Sequence, residues 1–212
     1  MPAVHKPVLY QEVLETLQPR SGQKFVDCTV GMGGHARGIL SASAPQGLLL
    51  GMDVDPDALK MAEVNLREFK GRYTLVQASY TTLLDQLHAL NWSTVDGILL
   101  DLGVSSLQLD TPGKGFSFRV NEPLDMRFDP RLEVTAADLV NQLDEDRLAD
   151  ILYRYGEEKF ARQIARAIMR SRPITRTGEL AEIVTNVVKN RKGAIHPATR
   201  TFQALRIVVN RE

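Results

Sequence analysis

Strand-like and helix-like segments alternate between residues 24 and 101, and this alternation constrains the fold more than any other feature. Short apolar runs typical of strands lie at 24–30, 47–53, 73–78 and 95–101. Helical patterns lie at 7–17, 35–44, 55–70 and 82–90. The run at 47–53, GLLLGMD, has the continuous apolar character of a strand buried on both faces. The pattern predicts an α/β fold, in which a parallel sheet is connected by right-handed helical crossovers.

The alternation stops after residue 103. About thirty residues with little periodicity follow, and a loop of that length in a compact domain is usually functional. Only helical patterns come afterwards, at 134–143, 144–155, 157–171, 177–189 and from 198 onward. We therefore predict a core with the first four strands at 1–103 and an active-site loop with a helical insertion at 104–197. Residues 198–212 are expected to begin the return to a sheet that is incomplete at its C-terminal end.

Charge is balanced over the whole chain but unevenly distributed. The 26 basic and 26 acidic residues cancel, which argues against a strongly basic nucleic-acid binder. Residues 151–212, however, carry 13 Lys and Arg against 5 Asp and Glu. A basic C-terminal third on an acidic body favours a surface that faces a polyanion.

Other classes of protein are disfavoured by the composition. No apolar run reaches 18 residues, and the N-terminal residues resemble neither a signal peptide nor a transit peptide. The single cysteine, Cys28, lies in a predicted buried strand and suits core packing. The sequence has no cluster of Cys and His residues of the kind that predicts a zinc site. We expect a cytoplasmic protein without a metal and without a membrane partner, and the sequence leaves its oligomeric state open.

A glycine loop follows the first predicted strand in the stretch VDCTVGMGGH (26–35). Residues 31–36 fit G-x-G-x-x-A, and Asp53 follows Gly31 by 22 residues, a spacing that suits a carboxylate on ribose hydroxyls. A nicotinamide-dependent oxidoreductase is therefore one interpretation. Asp27 at the strand end and His35 at the loop exit disfavour it, because an acidic strand end suits a ligand with an ammonium group. S-adenosylmethionine has that group together with a ribose and an adenine, and it has no phosphate.

Eight strings in order along the chain carry a more specific signal: HKPVL (5–9), GMGGH (31–35), DVDP (53–56), DGILLDLGVSS (96–106), GFSFR (115–119), PLDMR (123–127), YGEEKFARQIARAI (155–168) and HPATRTFQALRI (196–207). They resemble the ribosomal RNA small-subunit methyltransferase H family. The resemblance implies a Rossmann-like fold and S-adenosylmethionine-dependent methylation of the exocyclic N4 of one cytosine in the decoding centre of 16S rRNA. Members are longer, so it also implies that further strands follow residue 212. The cofactor-contacting positions that it implies are Gly33, Gly34, His35, Asp53, Tyr80, Asp101 and Gln108.

Asp101, at the end of the fourth predicted strand, has two possible roles. The lone pair of the cytosine amine is delocalised, so a useful site supplies an acceptor for the amine protons. Asp101 is a candidate for that catalytic role, and cofactor contact is its alternative role. The two interpretations stay open at this point.

Substrate contacts are expected from the loop and from the basic helices. Phe116 and Phe118 are candidates for stacking on an unstacked base, or they bury the loop itself. Two roles are open for Arg119, Asp125 and Arg127: they orient a nucleotide, or they hold the loop in place by ion pairs. His196 is a cap or a substrate contact.

The pattern at 157–171 predicts a helix with a basic face and an apolar face. Lys159, Arg162, Arg166 and Arg170 share the basic face, while Phe160, Ile164, Ala167 and Ile168 are predicted to face the core. One interpretation is that the basic face is simply exposed to solvent. Further basic residues favour contact with rRNA phosphates instead; these are Arg172, Arg176, Lys189, Arg191, Lys192 and Arg200. The small ribosomal subunit is thus the expected partner. A non-catalytic RNA-binding fragment is the remaining alternative.

Overall fold

A computed structural model describes residues 7–103, 111–188 and 195–212, and Lys189, Arg191, Lys192 and Gln108 lie outside these ranges. The chain forms two compact units, Met1–Gly103 and Val104–Glu212. The structure therefore divides the chain where the α/β alternation stops. Its last helix belongs to the second unit.

The first unit is built on a four-stranded parallel sheet. Its strands are β1 (Lys24–Asp27), β2 (Leu48–Asp53), β3 (Tyr73–Gln77) and β4 (Gly97–Leu99), in the order β3-β2-β1-β4. Its helices are α1 (Tyr10–Leu17), α2 (Gly34–Ala42), α3 (Pro56–Leu66) and α4 (Leu83–Ala89), with 3-10 turns at Arg67–Phe69 and Tyr80–Thr82. This architecture confirms the predicted α/β class. Because all four strands are parallel, the loops that follow them meet at one edge of the sheet.

Side chains end two of the strands earlier than the apolar pattern predicts. The sequence predicts β1 to residue 30, but the Thr29 N–H donates to Asp27 Oδ1 and the strand ends at Asp27. At β4, the Lys24 N–H donates to the Asp96 carboxylate before the strand, and the Asp101 N–H donates to Thr29 Oγ1 after it. The predicted cap of α3 is present, since the Asp55 carboxylate accepts the Asp57 N–H.

Apolar clusters cover the two faces of the sheet. One cluster contains Phe25, Ile39, Leu40, Leu49 and Leu66, and the other contains Val26, Cys28, Leu50, Met52 and Leu87. Burial raises the pKa of the Cys28 thiol to about 11, so the thiol stays protonated and serves packing rather than nucleophilic attack.

The second unit consists of a loop and five helices among the described residues. The helices are α5 (Ala136–Gln142), α6 (Glu145–Gly156), α7 (Ala161–Ser171), α8 (Thr177–Val187) and α9 (Thr199–Asn210). Helix α6 packs between α7 and α9, and α8 packs on α7. None of the helices in the described ranges is long and apolar enough to cross a membrane.

Candidate active site

The glycine loop between β1 and α2 needs glycine for both its backbone and its packing. Gly31 and Gly33 have positive φ values of 51° and 84°. A Cβ at Gly33 would lie 3.2 Å from Leu66 Cγ and 3.4 Å from the Ala62 Cα of α3. At Gly33 the missing side chain therefore lets the loop pack closely on α3, and the loop follows directly from the end of β1.

Asp53, at the end of β2, ties the glycine loop to the start of α3. Its Oδ2 accepts the Gly31 N–H at 2.9 Å, and its Oδ1 accepts the Asp55 N–H at 2.9 Å. Burial raises the pKa of Asp53, and these two N–H donors oppose the rise. Each oxygen keeps acceptor capacity for a ligand hydroxyl, so Asp53 can shape the loop and contact a ribose at once.

Asp27, at the end of β1, is a buried carboxyl with an unsatisfied oxygen. Its side chain is only 1% exposed; Oδ1 accepts the Thr29 N–H at 3.2 Å, and Oδ2 has no hydrogen-bond partner among the described residues. Burial raises the pKa of Asp27 to about 7, and the charges of Asp53 and Asp101 add to the rise. A buried acceptor of this kind calls for a ligand donor or cation.

His35 and Asp101 form a contact across the glycine loop. His35 is 7% exposed, and its Nε2 lies 3.6 Å from Asp101 Oδ2, while the Tyr10 and His35 rings are stacked with their centroids 6.1 Å apart. Burial lowers the pKa of His35, although Asp101 opposes this, so the imidazole is neutral at pH 7. The Asp101 side chain remains half exposed and available to a second partner.

The structure brings most of the expected cofactor residues to one edge of the sheet. Gly33, Gly34 and His35 begin α2, and Asp53 and Asp101 follow β2 and β4. Tyr80 follows β3 in a 3-10 turn and is 37% exposed, so its ring is accessible for stacking. Gln108 lies outside the described residues. The described residues contain no group of three His, Cys, Asp or Glu that could hold a metal ion.

The two loop phenylalanines have different environments in the second unit. Phe116 is 7% exposed and stacks on Phe128, with the ring centroids 4.9 Å apart, so its ring packs in the interior of the loop. Phe118 stacks on His196 at 4.4 Å and meets Phe202 edge-on. His196 is exposed, and its Nδ1 accepts the Ala198 N–H in the turn before α9.

Several arginines that were candidates for nucleotide contact have partners within the second unit. Arg127 forms a two-pronged ion pair with Asp125 and also donates to the carbonyls of Pro130 and Leu132. Four further arginines also have partners in the second unit. Arg166 forms an ion pair with Glu145. The others donate to backbone carbonyls: Arg172 to Val140 and Leu143, Arg176 to Asn121, and Arg200 to Glu157. Among the described residues, by contrast, the exposed guanidinium of Arg119 has no partner.

Helix α7 begins at Ala161, later than its sequence pattern predicts. Lys159 and Phe160 lie in the preceding turn, and Phe160 is 38% exposed, so its predicted place in the core is wrong. The buried residues of the helix are Ala161, Ile164, Ala165 and Ile168. On the exposed face, Arg162 and Arg170 form no ion pair with any described residue.

Sequence reasoning missed Glu122, which organises the loop that carries Phe116 and Phe118. Its side chain is 8% exposed and accepts the N–H groups of Gly113 at 2.5 Å and Gly115 at 3.0 Å. Its own N–H donates to Thr177 Oγ1. The available signal was a glutamate shortly after two glycines in a stretch without periodicity, and that signal is weak.

Comparison with known proteins identifies the family of the chain. The MraW methylase family matches residues 2–212. Proteins named Ribosomal RNA small subunit methyltransferase H match at 48% identity in Dehalococcoides mccartyi, 52% in Syntrophotalea carbinolica and 47% in Stenotrophomonas maltophilia. These matches cover 98%, 98% and 100% of this chain, which spans only 60%, 68% and 66% of those relatives. The chain therefore belongs to the MraW methylase family.

Proposed function

We propose that the chain methylates the exocyclic N4 of a cytosine in the decoding centre of 16S rRNA, with S-adenosylmethionine as methyl donor. Family membership and the names of the relatives support an rRNA methyltransferase. The choice of cytosine N4 rests on the sequence resemblance. The proposal places the protein in the cytoplasm with the small ribosomal subunit as its partner.

The observation that carries the choice of cofactor is the acidic edge of the sheet. Asp27, Asp53 and Asp101 gather there, and Asp27 has a buried oxygen without a described partner. A pyrophosphate at this edge would meet carboxylates, whereas a ligand with an ammonium and a sulfonium would be stabilised by them. This charge pattern favours S-adenosylmethionine over a nicotinamide dinucleotide.

The residues at the edge fit the parts of S-adenosylmethionine. Gly33 and Gly34 place the backbone at the start of α2 beside the sheet edge, Asp53 offers acceptor oxygens to the ribose, and Tyr80 offers an exposed ring to the adenine. When bound, the cofactor supplies an electrophilic methyl group on a positively charged sulfur. The chain's own contribution is to position that group and to exclude water from it.

Asp101 is suited to hold the amine protons of the cytosine. The amine would have to lose one proton when it accepts the methyl group that the bound cofactor would supply. The half-exposed Asp101 carboxylate can accept hydrogen bonds from the amine, and the His35 Nε2 lies 3.6 Å from its Oδ2. The proton can leave to solvent after transfer.

Features of the second unit support an RNA substrate. The base must leave its stack to expose N4. The aromatic pair Phe118 and His196 presents a surface ring, and Arg119, Arg162 and Arg170 are exposed without described ion-pair partners. Such groups suit stacking on bases and contact with phosphates.

The direct test is methyl transfer from labelled S-adenosylmethionine to small subunits that lack the modification, followed by mapping of the modified base. Label on N4 of a decoding-centre cytosine supports the proposal, and label elsewhere overturns the cytosine assignment. A full-length relative serves as the positive control. RNA binding without S-adenosylmethionine binding would favour a non-catalytic RNA-binding fragment, and calorimetric binding of NAD would favour the oxidoreductase.

Asp101→Ala should separate the two roles of this residue. If Asp101 holds the amine protons, turnover falls about 100-fold while the dissociation constant of S-adenosylmethionine changes less than about threefold. Single-turnover kinetics and calorimetry measure the two quantities. An unchanged turnover would contradict the catalytic role.

Asp53→Ala should weaken binding of S-adenosylmethionine about tenfold to hundredfold. The change removes the acceptor of two loop N–H groups as well as the proposed ribose contact. Asp85→Ala, which removes an exposed carboxylate on α4, is the charge-matched control. Equal affinities of the two variants in calorimetry would rule out a role for Asp53 in the site.

The double variant Arg162→Gln/Arg170→Gln should bind 16S rRNA fragments more weakly. If both side chains contact phosphates, the slope of log affinity against log salt falls by about 2. The matched control is Arg147→Gln/Arg154→Gln, because these two exposed arginines pair with Asp144 and Asp150. Filter binding at several salt concentrations measures both slopes, and identical slopes would count against the basic face of α7.

A further inference from the structure

Among the described residues, several ionisable groups lie around Asp27, but none of them is a Lys or Arg paired with its carboxylate. These groups come from every element at this edge, namely Cys28 directly after β1, Asp53 at the end of β2, Asp55 at the start of α3, Asp101 after β4, and His35 on α2 with Tyr10 of α1 stacked on it. Within the described ranges, no Lys or Arg forms an ion pair with Asp27. His35 is neutral at pH 7 and does not supply the missing charge.

The surroundings of Asp27 therefore favour the protonated form of its carboxyl group. A fully buried carboxylate beside two other carboxylates is unfavourable, so the side chain holds a proton more tightly than an exposed aspartate does. The oxygen is shielded from solvent at the end of β1, directly before the glycine loop, so a cation bound against that loop would act on it across little intervening water. A cation brought there by a ligand would favour loss of that proton.

We propose that Asp27 receives a positive charge of the bound methyl donor and releases its own proton to solvent when that charge binds. This inference rests on the proposed function and adds a linkage between cofactor binding and pH. It makes Asp27 a residue that distinguishes cationic from uncharged ligands. The proton goes to the buffer, and no bond other than the O–H bond of the carboxyl is broken.

The linkage has a defined pH range. Burial raises the pKa of Asp27 in the free protein to about 7, so the carboxyl is about half protonated at pH 7 and mostly protonated at pH 6. Binding of a cation should then release about half a proton at pH 7 and close to one at pH 6. Above pH 8.5 the release should vanish, because Asp27 is already ionised.

The experiment is calorimetry of the whole chain with S-adenosylmethionine at pH 6, 7 and 8.5, in phosphate and in Tris-type buffers of different ionisation enthalpy. The dependence of the apparent enthalpy on the buffer gives the number of protons released. We expect the release described above and an affinity that rises about fivefold from pH 6 to pH 7. Binding without proton release overturns this inference alone, whereas absence of binding overturns it together with the proposed cofactor.

Three ligands identify which positive charge acts on Asp27. S-adenosylmethionine carries a sulfonium and an ammonium, S-adenosylhomocysteine carries only the ammonium, and 5′-methylthioadenosine carries neither. Equal release with the first two ligands assigns the ammonium, and release with the first alone assigns the sulfonium. Release with 5′-methylthioadenosine equal to that with S-adenosylmethionine would overturn the proposal, because no cation would be involved.

Asp27→Asn tests the residue itself, since the amide mimics the protonated carboxyl. We expect the variant to bind S-adenosylmethionine with no proton release between pH 6 and 7, and Asp85→Asn to retain the release of the parent chain. An unchanged release in Asp27→Asn overturns the assignment. Should that variant not fold, titration of the ¹³C-labelled Asp carboxyls by NMR, with and without ligand, decides instead. A carboxyl with a midpoint near pH 7 that falls on binding supports the proposal, and the absence of such a carboxyl overturns it.

Discussion

Asp27→Asn should stabilise the first unit of the ligand-free protein by an amount that increases with pH, reaching about 4 kcal/mol above pH 7. The reason is the difference in pKa between the folded and unfolded chains. Burial raises the pKa of Asp27 from 3.8 to about 7 in the folded state. Between these values the folded chain holds a proton that the unfolded chain has lost, so the stability of the parent chain falls as pH rises. Below pH 4 Asp27 is protonated in both the folded and the unfolded chain. The stability difference between the variant and the parent chain then disappears.

Urea unfolding at several pH values measures this effect. The chain has a single tryptophan, Trp92, which packs against the cluster containing Val26 and Leu50, so its fluorescence reports unfolding of the first unit. Asp85→Asn, at an exposed position, is the control and should follow the parent chain at each pH. A difference between Asp27→Asn and the parent that stays constant from pH 4 to pH 8 would show that Asp27 is ionised throughout.

Gly115→Ala should destabilise the second unit by about 3 kcal/mol. Gly115 has a φ of 74°, a conformation that costs about 1 kcal/mol or more with a side chain. A Cβ there would also lie 2.4 Å from the Pro123 carbonyl oxygen and 2.7 Å from the Asp125 N, and neither backbone atom can move like a flexible side chain. Relief of the clash would displace the loop that carries Phe116 and Phe118.

Gly113→Ala is the matched control for this prediction. Gly113 has a similar φ of 87° and also donates its N–H to Glu122, but a Cβ there would meet no atom within 4 Å. We expect it to cost only the conformational part, about 1 kcal/mol. Hydrogen exchange of the amides in α8 and α9, which belong to the second unit, measures both changes. Equal effects of the two variants would show that the close approach at Gly115 is not maintained in solution.

The arrangement of the first unit was predictable because its local signals agree with its packing. The continuous apolar run of β2 and the Asp55–Pro56 start of α3 each specify one structure, and the structure contains both. The positions of Asp53 and Asp101 at strand ends follow from the same alternation. Their shared location then follows from the parallel order of the strands.

Contacts between distant positions were not predictable in the same way. The Asp27 carboxyl is unsatisfied because of what surrounds it in space, and no local pattern encodes that. Glu122 receives its role from two glycine N–H groups whose orientation depends on the loop conformation. Phe160 fits a helical stripe by spacing, but α7 begins one residue later, so the stripe does not include it.

The side-chain bonds between the strand-end loops have a consequence for how this edge unfolds. Asp53 holds the glycine loop through Gly31, and Thr29, which precedes that loop, accepts the Asp101 N–H after β4. Opening one of these loops therefore removes a partner from another. The segments after β1, β2 and β4 should lose their structure as one cooperative unit rather than fraying separately. A ligand that contacts any one of them would then slow the opening of all three.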